Sequence, residues 1–340
     1  MIRRIFENVS PKGKAMLAVA ILFFTIYGLA GAGIMLVVLD MLQKVLEGQQ
    51  VHLLSYWLAL VGLAALKAAC NVVADVAKRF AGFEVEERIR RDLLFRLKRF
   101  SLGYYTNERL GEISTIIHKD VTATESVVAH MWSRMASDVA VALILGTGLF
   151  LVDWRLGLAM VSMLPVALLV LFVRIRSGKA MQKRTNDDLV DMVSLFVEYV
   201  KGIPLLKAFN QSTRFQERLG RSIERFGASS KKESRSVAWT LGLYTLFLEM
   251  CFAVMAAVGV YLVLGNELTI FEYLMFIIIS AEFYKPFAGM EWHWMNYIKL
   301  TDSYRRILTV LDAPVVETPG EPEAMSNRDI AFDGVGFSYE

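Results

Sequence analysis

VALILGTGLFLVDWRLGLAMVSMLPVALLVLFV, residues 141–173, is apolar on both sides of one short turn, Val152-Asp153-Trp154-Arg155. A bilayer's hydrocarbon core is about 30 Å thick and needs about 20 helical residues at 1.5 Å each. One apolar run ends near Val152 and the next starts near Trp154, so the stretch reads as a membrane hairpin with Asp153 placed to cap its second helix.

Working outward, two further pairs of apolar runs follow the same plan. One pair covers about 15–39 and 53–77 and is joined around Glu47-Gly48-Gln49-Gln50. The other ends near Leu264 and resumes near Ile270, where Thr269 and Glu272 are spaced as a capping box. The expectation is an all-α membrane protein of six spans in three hairpins. The joining loops are poor in Lys and Arg. By contrast, four such residues precede Ala15, ten lie from Lys78 to Lys119 and fourteen from Arg174 to Arg235. That asymmetry predicts a plasma or inner membrane protein with both termini in the cytoplasm.

The basic stretches are themselves helical in pattern. Ile89, Leu93, Leu97 and Phe100 continue an apolar stripe beyond the second span, so helix is expected from Leu53 to Phe100, about 70 Å long, with roughly half of it outside the bilayer. The same is expected of the third, fourth and fifth helices. Residues 1–10 read as an interfacial helix, with Ile2, Ile5, Phe6 and Val9 opposite Arg3 and Arg4, lying on membrane lipids before Ser10-Pro11 starts the first span. The transmembrane domain is expected over 11–312. A Pro-rich linker fills 313–328, and an alternating, strand-like segment occupies 329–340.

Composition narrows the function classes. Hydrophobic residues make up 55% of the 340, above the range of roughly 45–50% for soluble domains, and mean hydropathy is +0.43. No charge tract suggests nucleic acid. Cys70 and Cys251 sit inside apolar runs, and four scattered histidines lack metal-ligand spacing, so neither a disulfide framework nor a metal site is expected. No run after Lys14 resembles a cleavable signal.

Three hairpins, cytosolic helix extensions and a strand-like end together resemble the exporter-fold (type IV) half-transporters of the ABC family, over essentially the whole chain. Tyr104-Tyr105-Thr106-Asn107, with Leu110-Gly111-Glu112 and Asp120 following, is similar to that family's first coupling helix. Val200-Lys201-Gly202 followed by Phe209-Asn210-Gln211 is similar to the second, with Ser212 standing where the family usually has an acidic residue. Asp153-Trp154-Arg155-Leu156, Pro165 and Pro286 also match. Ile330-Ala-Phe-Asp-Gly-Val-Gly-Phe-Ser-Tyr339 is similar to the first strand of the family's ATPase domain, and the resemblance places Tyr339 where an aromatic ring stacks on adenine. It implies a complete protein that hydrolyses ATP with Mg2+ as a homodimer or heterodimer, and a chain that stops where the ATPase domain starts. No G-x-x-x-x-G-K-[ST] occurs in the 340 residues, so no catalytic residue is expected among them.

Candidate cargo contacts come from depth. Lys67, Asp138, Glu249, Glu282 and Lys285 lie about 12–15 residues from the outer helix ends, roughly 18–22 Å deep. Ionisable groups there cost about 2.5–3.5 kcal/mol or more unless paired or wet. They read either as a polar belt lining an inward-facing cavity or as interhelical ion pairs that hold the bundle. Asn71, Asp75, His130 and Arg134 lie nearer the cytosolic edge, and Trp292, Trp294 and Tyr297 at the level of the interfacial aromatic belt. Gly28, Gly31 and Gly33 permit close helix contact.

The expected activity is ATP-driven alternating-access transport of an amphipathic or lipophilic small molecule such as a lipid, drug or peptide-like compound. Import of ferric siderophores, which a subset of relatives performs, is an alternative, because Phe283-Tyr-Lys-Pro286-Phe is loosely similar to theirs. An ion-coupled secondary transporter is the alternative of another class, but inverted repeats and broken midplane helices are not evident in the sequence.

Overall fold

The computed structural model describes residues 9–208, 212–315 and 334–336. The interfacial helix expected over 1–10 falls outside them except for Val9 and Ser10. So does most of the linker and of the strand-like segment, Tyr339 included. Among the described residues every regular element is helical.

Helix α1 (Pro11–Leu46) starts as the sequence suggests, with Pro11 in its first turn and the Ser10 hydroxyl accepting from the Gly13 amide at 2.9 Å. Helix α2 (Leu53–Leu97) runs back beside it for 45 residues and stops three residues short of the expected Phe100. Beside the turn at 47–52 a polar triad ties the pair together. The Tyr56 hydroxyl donates to Asp40 at 2.5 Å, and the Lys44 ammonium lies 2.9 Å from Asp40 and 2.7 Å from Tyr56. Helix α3 (Asn107–Val152) is a single rod of 46 residues, with wide π-helical turns at Ile116–Asp120 and Val127–Trp132.

Helix α4 runs as Trp154–Val161 and then Leu164–Ala208. Its break at 162–163 precedes Pro165, whose ring and missing N–H are tolerated at the start of the second piece. The Asp153 carboxylate caps α4 as expected, accepting from the Arg155 and Leu156 amides at 2.8 and 3.0 Å. Helix α5 (Ser212–Leu264) returns alongside α4. It closes on Asn266, which takes the left-handed conformation (φ 55°) that a glycine often fills. Helix α6 (Ile270–Ala288) opens on the capping box, where the Thr269 amide donates to Glu272 at 2.9 Å and the Glu272 amide to Thr269 at 3.2 Å. Helix α7 (Met290–Leu311) follows at Gly289.

Among the described residues five helices, α1 to α5, are long and apolar enough to cross a membrane, against six expected. The sixth candidate, α6, has only 19 residues, and Glu272, Glu282 and Lys285 interrupt its apolar run.

The chain forms two compact units, 1–145 with 285–340 and 146–284. In the first, Val85, Ile89 and Leu93 of α2, Ile116, Val121 and Val128 of α3, and Leu300, Tyr304 and Ile307 of α7 bury a continuous apolar core, which Val9 joins. These residues lie on the extensions beyond the apolar windows, which explains how so much helix persists outside lipid. Tertiary burial of one face, rather than intrinsic propensity, holds such rods. One ion pair crosses the core's edge. Arg306 of α7 grips Asp120 of α3 with both nitrogens, Nε at 2.8 Å and Nη2 at 2.5 Å, and also donates to Ser303 at 3.2 Å. The Asp120 side chain is fully enclosed. Burial alone would raise its carboxyl, but hydrogen bonds from Arg306 and Ser303 and the guanidinium charge outweigh burial and hold it below the ordinary value.

Replacing Arg306 with Ala leaves a buried carboxylate unpaired and should destabilise the protein by about 3 kcal/mol, seen as a lowered thermal unfolding midpoint in detergent. Because the folded pKa of Asp120 is depressed, the pair's contribution should be intact above about pH 4, the ordinary Asp value, and lost only as pH falls through the lower folded value. An unfolding midpoint of the Arg306→Ala variant equal to the parent's across pH 5–8 would count against the clamp.

Candidate functional site

Two constructions in the first unit concentrate chemistry. The first is the tip between α2 and α3. After Leu97 the chain turns through buried Phe100 and a single tight turn, Leu102–Tyr104. The Tyr104 ring stacks on Phe100 with centroids 4.0 Å apart, and Tyr105 meets Tyr104 edge-on at 6.0 Å. The Arg109 guanidinium lies 5.4 Å from the Tyr104 ring centre, and the Tyr105 hydroxyl donates back to the Leu97 carbonyl. Thr106 caps α3, accepting from the Arg109 amide at 3.3 Å, and Asn107 is the first exposed residue of that helix. This tip is therefore fixed in place while its outward face stays bare. Leu102 is 88% exposed, and Leu94, Phe95 and Leu110 are exposed around it. An apolar surface on a rigid mount suits a docking contact better than a flexible loop would.

The same mount holds the end of α7. Arg96 of α2 donates to the Ala313 carbonyl at 2.7 Å, and Ala313 and Val315 pack on the shared core. Residues that leave α7 are thus fastened to the helix that carries the tip. The sequence alone gives Arg96 and Arg306 only as members of a basic stretch. What singles them out is a partner about 190 to 220 residues away, which no local pattern carries.

The second construction lies within the apolar zone. Lys67 of α2 points its ammonium over the Tyr27 ring of α1, 4.8 Å from the centroid. Arg134 of α3 lies 5.7 Å from the same ring and 5.4 Å from Phe24, and Lys78 lies 5.4 Å from Phe24. Arg134 also pairs with Asp138 at 3.5 Å, and Lys78 with Asp75. Gly31, one turn from Tyr27, makes the room, since a Cβ there would stand 3.3 Å from the Lys67 nitrogen. Phe24 and Tyr27 were not candidates on sequence grounds. Their spacing of three on α1 would have placed them on one face, but nothing local says that cations cover it.

Of the expected cargo contacts, Lys67, Asn71, Asp138 and Lys285 belong to the first unit, and Glu249 and Glu282 to the second. Lys67 and Asp138 meet the α1 cluster, Asp138 through Arg134. Asn71 and Lys285 are exposed, and in the second unit Glu249 is exposed and Glu282 half-buried. Phe209, Asn210 and Gln211 lie outside the described residues, and Ser212 is described only as the start of α5.

Residues 17–287 match the family model described as ABC transporter transmembrane region. Among curated proteins, the chain is similar to "ABC transporter B family member 15" of Arabidopsis thaliana, with 24% identity over 84% of this chain and 23% of that protein. It is 23% identical, over 80% of itself and 46% of the relative, to "Multidrug resistance ABC transporter ATP-binding and permease protein" of Lactococcus lactis. An "ATP-dependent lipid A-core flippase" of Desulfotalea psychrophila is 21% identical over 100% of the chain and 60% of the relative. The chain thus spans less than two thirds of each of these relatives.

Removing the α3 cap by Thr106→Ala should cost about 1 kcal/mol locally and speed amide exchange over 107–110. Exchange there at the parent's rate, measured by hydrogen–deuterium mass spectrometry, would mean that the tip is held without its cap.

Proposed function

The chain belongs to the ABC transporter transmembrane-region family, of the exporter type, and on that premise we propose that it forms the membrane half of an ATP-driven half-transporter. In this reading α6 is the sixth span. At 19 residues it reaches about 28 Å, close to the hydrocarbon thickness, and its charged residues can face other helices or water. Both termini lie in the cytoplasm, and two such subunits, alike or unlike, assemble around one pathway. ATP and Mg2+ belong to the complete protein. Within this chain only Tyr339 is a candidate to touch the nucleotide.

The observation that carries the proposal is the rigid tip on a packed extension. Tyr104, Tyr105, Thr106 and Asn107 sit at the end of rods whose far portions are locked by one core, so force applied at the tip is transmitted along α2 and α3 instead of bending a loop. Phe209, Asn210, Gln211 and Ser212 would form the second contact, between α4 and α5. Closure of the ATPase domains would then tilt these rods and switch access to the pathway, along which Lys67, Asn71, Asp138, Glu249, Glu282 and Lys285 are the proposed polar contacts.

An amphipathic or lipophilic cargo fits helices whose polar groups are few and grouped. The names of the relatives speak of multidrug resistance and of lipid A-core flipping and lend the siderophore alternative no support.

The test is ATP hydrolysis by the full-length protein in nanodiscs with lipids and drugs added singly. We expect basal turnover and stimulation by at least one amphipathic class. The variant Leu102→Asp, which puts a charge on the exposed apolar tip, should hydrolyse with less than about a third of that stimulation, because charge at an apolar contact must be desolvated. Unchanged stimulation would remove the tip from the coupling path, and no hydrolysis with any candidate partner subunit would sink the transporter reading.

A further inference from the structure

In the second unit the extensions of α4 and α5 enclose a groove outside the apolar zone. The two helices are tied together at both of its ends. At one end the Ser229 hydroxyl donates to Asp188. At the other Gln216 donates to the Tyr199 hydroxyl at 3.0 Å, and the Tyr199 ring stacks on Phe215 with centroids 5.5 Å apart. Between the ties, over about 16 Å of α4, lies an open cavity of about 600 Å³, within the size range of small-ligand sites.

Its walls carry charge that the chain leaves unspent. Arg218, Arg221 and Arg225 of α5 stand at spacings of three and four on one face, about 10 Å from end to end. Asp191 and Glu198 of α4 line the same groove. Among the described residues none of these side chains makes a hydrogen bond or an ion pair, although both signs are present. Ser222, beside Arg221, is 5% exposed, lines the groove, and likewise has no hydrogen-bond partner among the described residues. A hydroxyl enclosed in that way costs free energy until something reaches it from the groove.

The guanidiniums repel one another, and an anion among them relieves that repulsion through forked, charge-assisted hydrogen bonds. Phosphate has oxygens enough to engage several guanidiniums and the Ser222 hydroxyl together. The carboxylates of α4 would oppose a bare phosphate, but they accept hydrogen bonds from hydroxyl groups. Position excludes a lipid headgroup. Asp191 lies about 27 Å of helix beyond Val173, where the apolar run ends, and headgroups extend only roughly 5–8 Å past the hydrocarbon.

We propose that this groove binds a soluble phosphate ester that also bears hydroxyl groups, of the sugar phosphate class. Its phosphate meets Arg218, Arg221, Arg225 and Ser222, and its hydroxyls meet Asp191 and Glu198. Such a ligand bridges α4 and α5 about 16 Å of helix before residue 209, where the proposed second coupling contact begins. The site goes beyond the transporter reading and does not depend on it, because binding is measured directly.

The experiment uses full-length protein in phosphatidylcholine nanodiscs and radiolabelled fructose bisphosphate, with empty nanodiscs as the blank. Saturable binding is expected, displaced by unlabelled probe and not by fructose, which has the hydroxyls without the charge. Arg221→Gln should weaken it by about tenfold or more, and Ser222→Ala, which keeps every charge, by about fivefold. Lys231→Gln, the same charge change on α5 away from the groove-lining residues, should stay within about twofold of the parent. Asp191→Asn removes a repulsive charge and a strong hydroxyl acceptor, so it should narrow the preference for fructose bisphosphate over inorganic phosphate by about threefold or more. Undiminished binding in a folded Arg221→Gln protein would place the probe on the ATPase domain of the complete protein and overturn the groove site. So would the absence of saturable binding; if Arg221→Gln then sediments as a smaller assembly than the parent, the groove is a contact between copies of the chain.

Discussion

In hydrocarbon an unpaired peptide group costs several kcal/mol, and this constraint dictates what each end of a helix must do. Inside the apolar zone the backbone satisfies itself. At the bends between spans it cannot, because the first amides and last carbonyls of every helix lack partners. The chain answers with side chains that are few and local: Asp153 over the Arg155 and Leu156 amides, and Thr269 with Glu272 in a reciprocal box. Arg155 then bonds Glu267, joining two of these bends in one unit. Polar residues at these turns are thus structural first.

Beyond the bilayer the logic reverses. Water can satisfy any backbone group, so nothing compels helix there, and long isolated rods would fray. The core of α2, α3 and α7 supplies the missing reason, and Asp120–Arg306 fixes its register. A buried carboxylate is a poor source of net stability, since a well-packed apolar pair would serve as well. Its value is directional. An apolar seam tolerates a slip by one turn, while a bidentate fork on an enclosed carboxylate does not. The pair sits at the end of the Ile116–Asp120 π turn.

How much of this was readable follows from the range of each interaction. Caps, turns and spans are set within about four residues, and the Ser10, Asp153 and Thr269–Glu272 caps appear where the sequence places them. The end of α2 was missed by three residues, because the stripe Ile89, Leu93, Leu97, Phe100 continues through the tight turn: Phe100 is buried by stacking on Tyr104 and not by helix. Periodicity reports which residues are buried, not what backbone carries them. The wide turns of α3 gave no signal, nor did the break at 162–163 beyond Pro165. Contacts such as Arg96–Ala313 and Lys67–Tyr27 depend on which helices become neighbours, which one sequence does not state.

The buried charges make the same point from another side. Near-balanced acids and bases at one depth allow two arrangements, ions bridging helices or a wet belt. In the first unit Arg134–Asp138 lies within a single helix, and Lys67 crosses to α1 to meet a ring instead of an acid. A cation resting on an aromatic face is attracted but not neutralised, since the ring's quadrupole carries no net charge. Counting charges along the chain does not say which group meets which, and among the described residues the Lys67 ammonium is found over the Tyr27 ring.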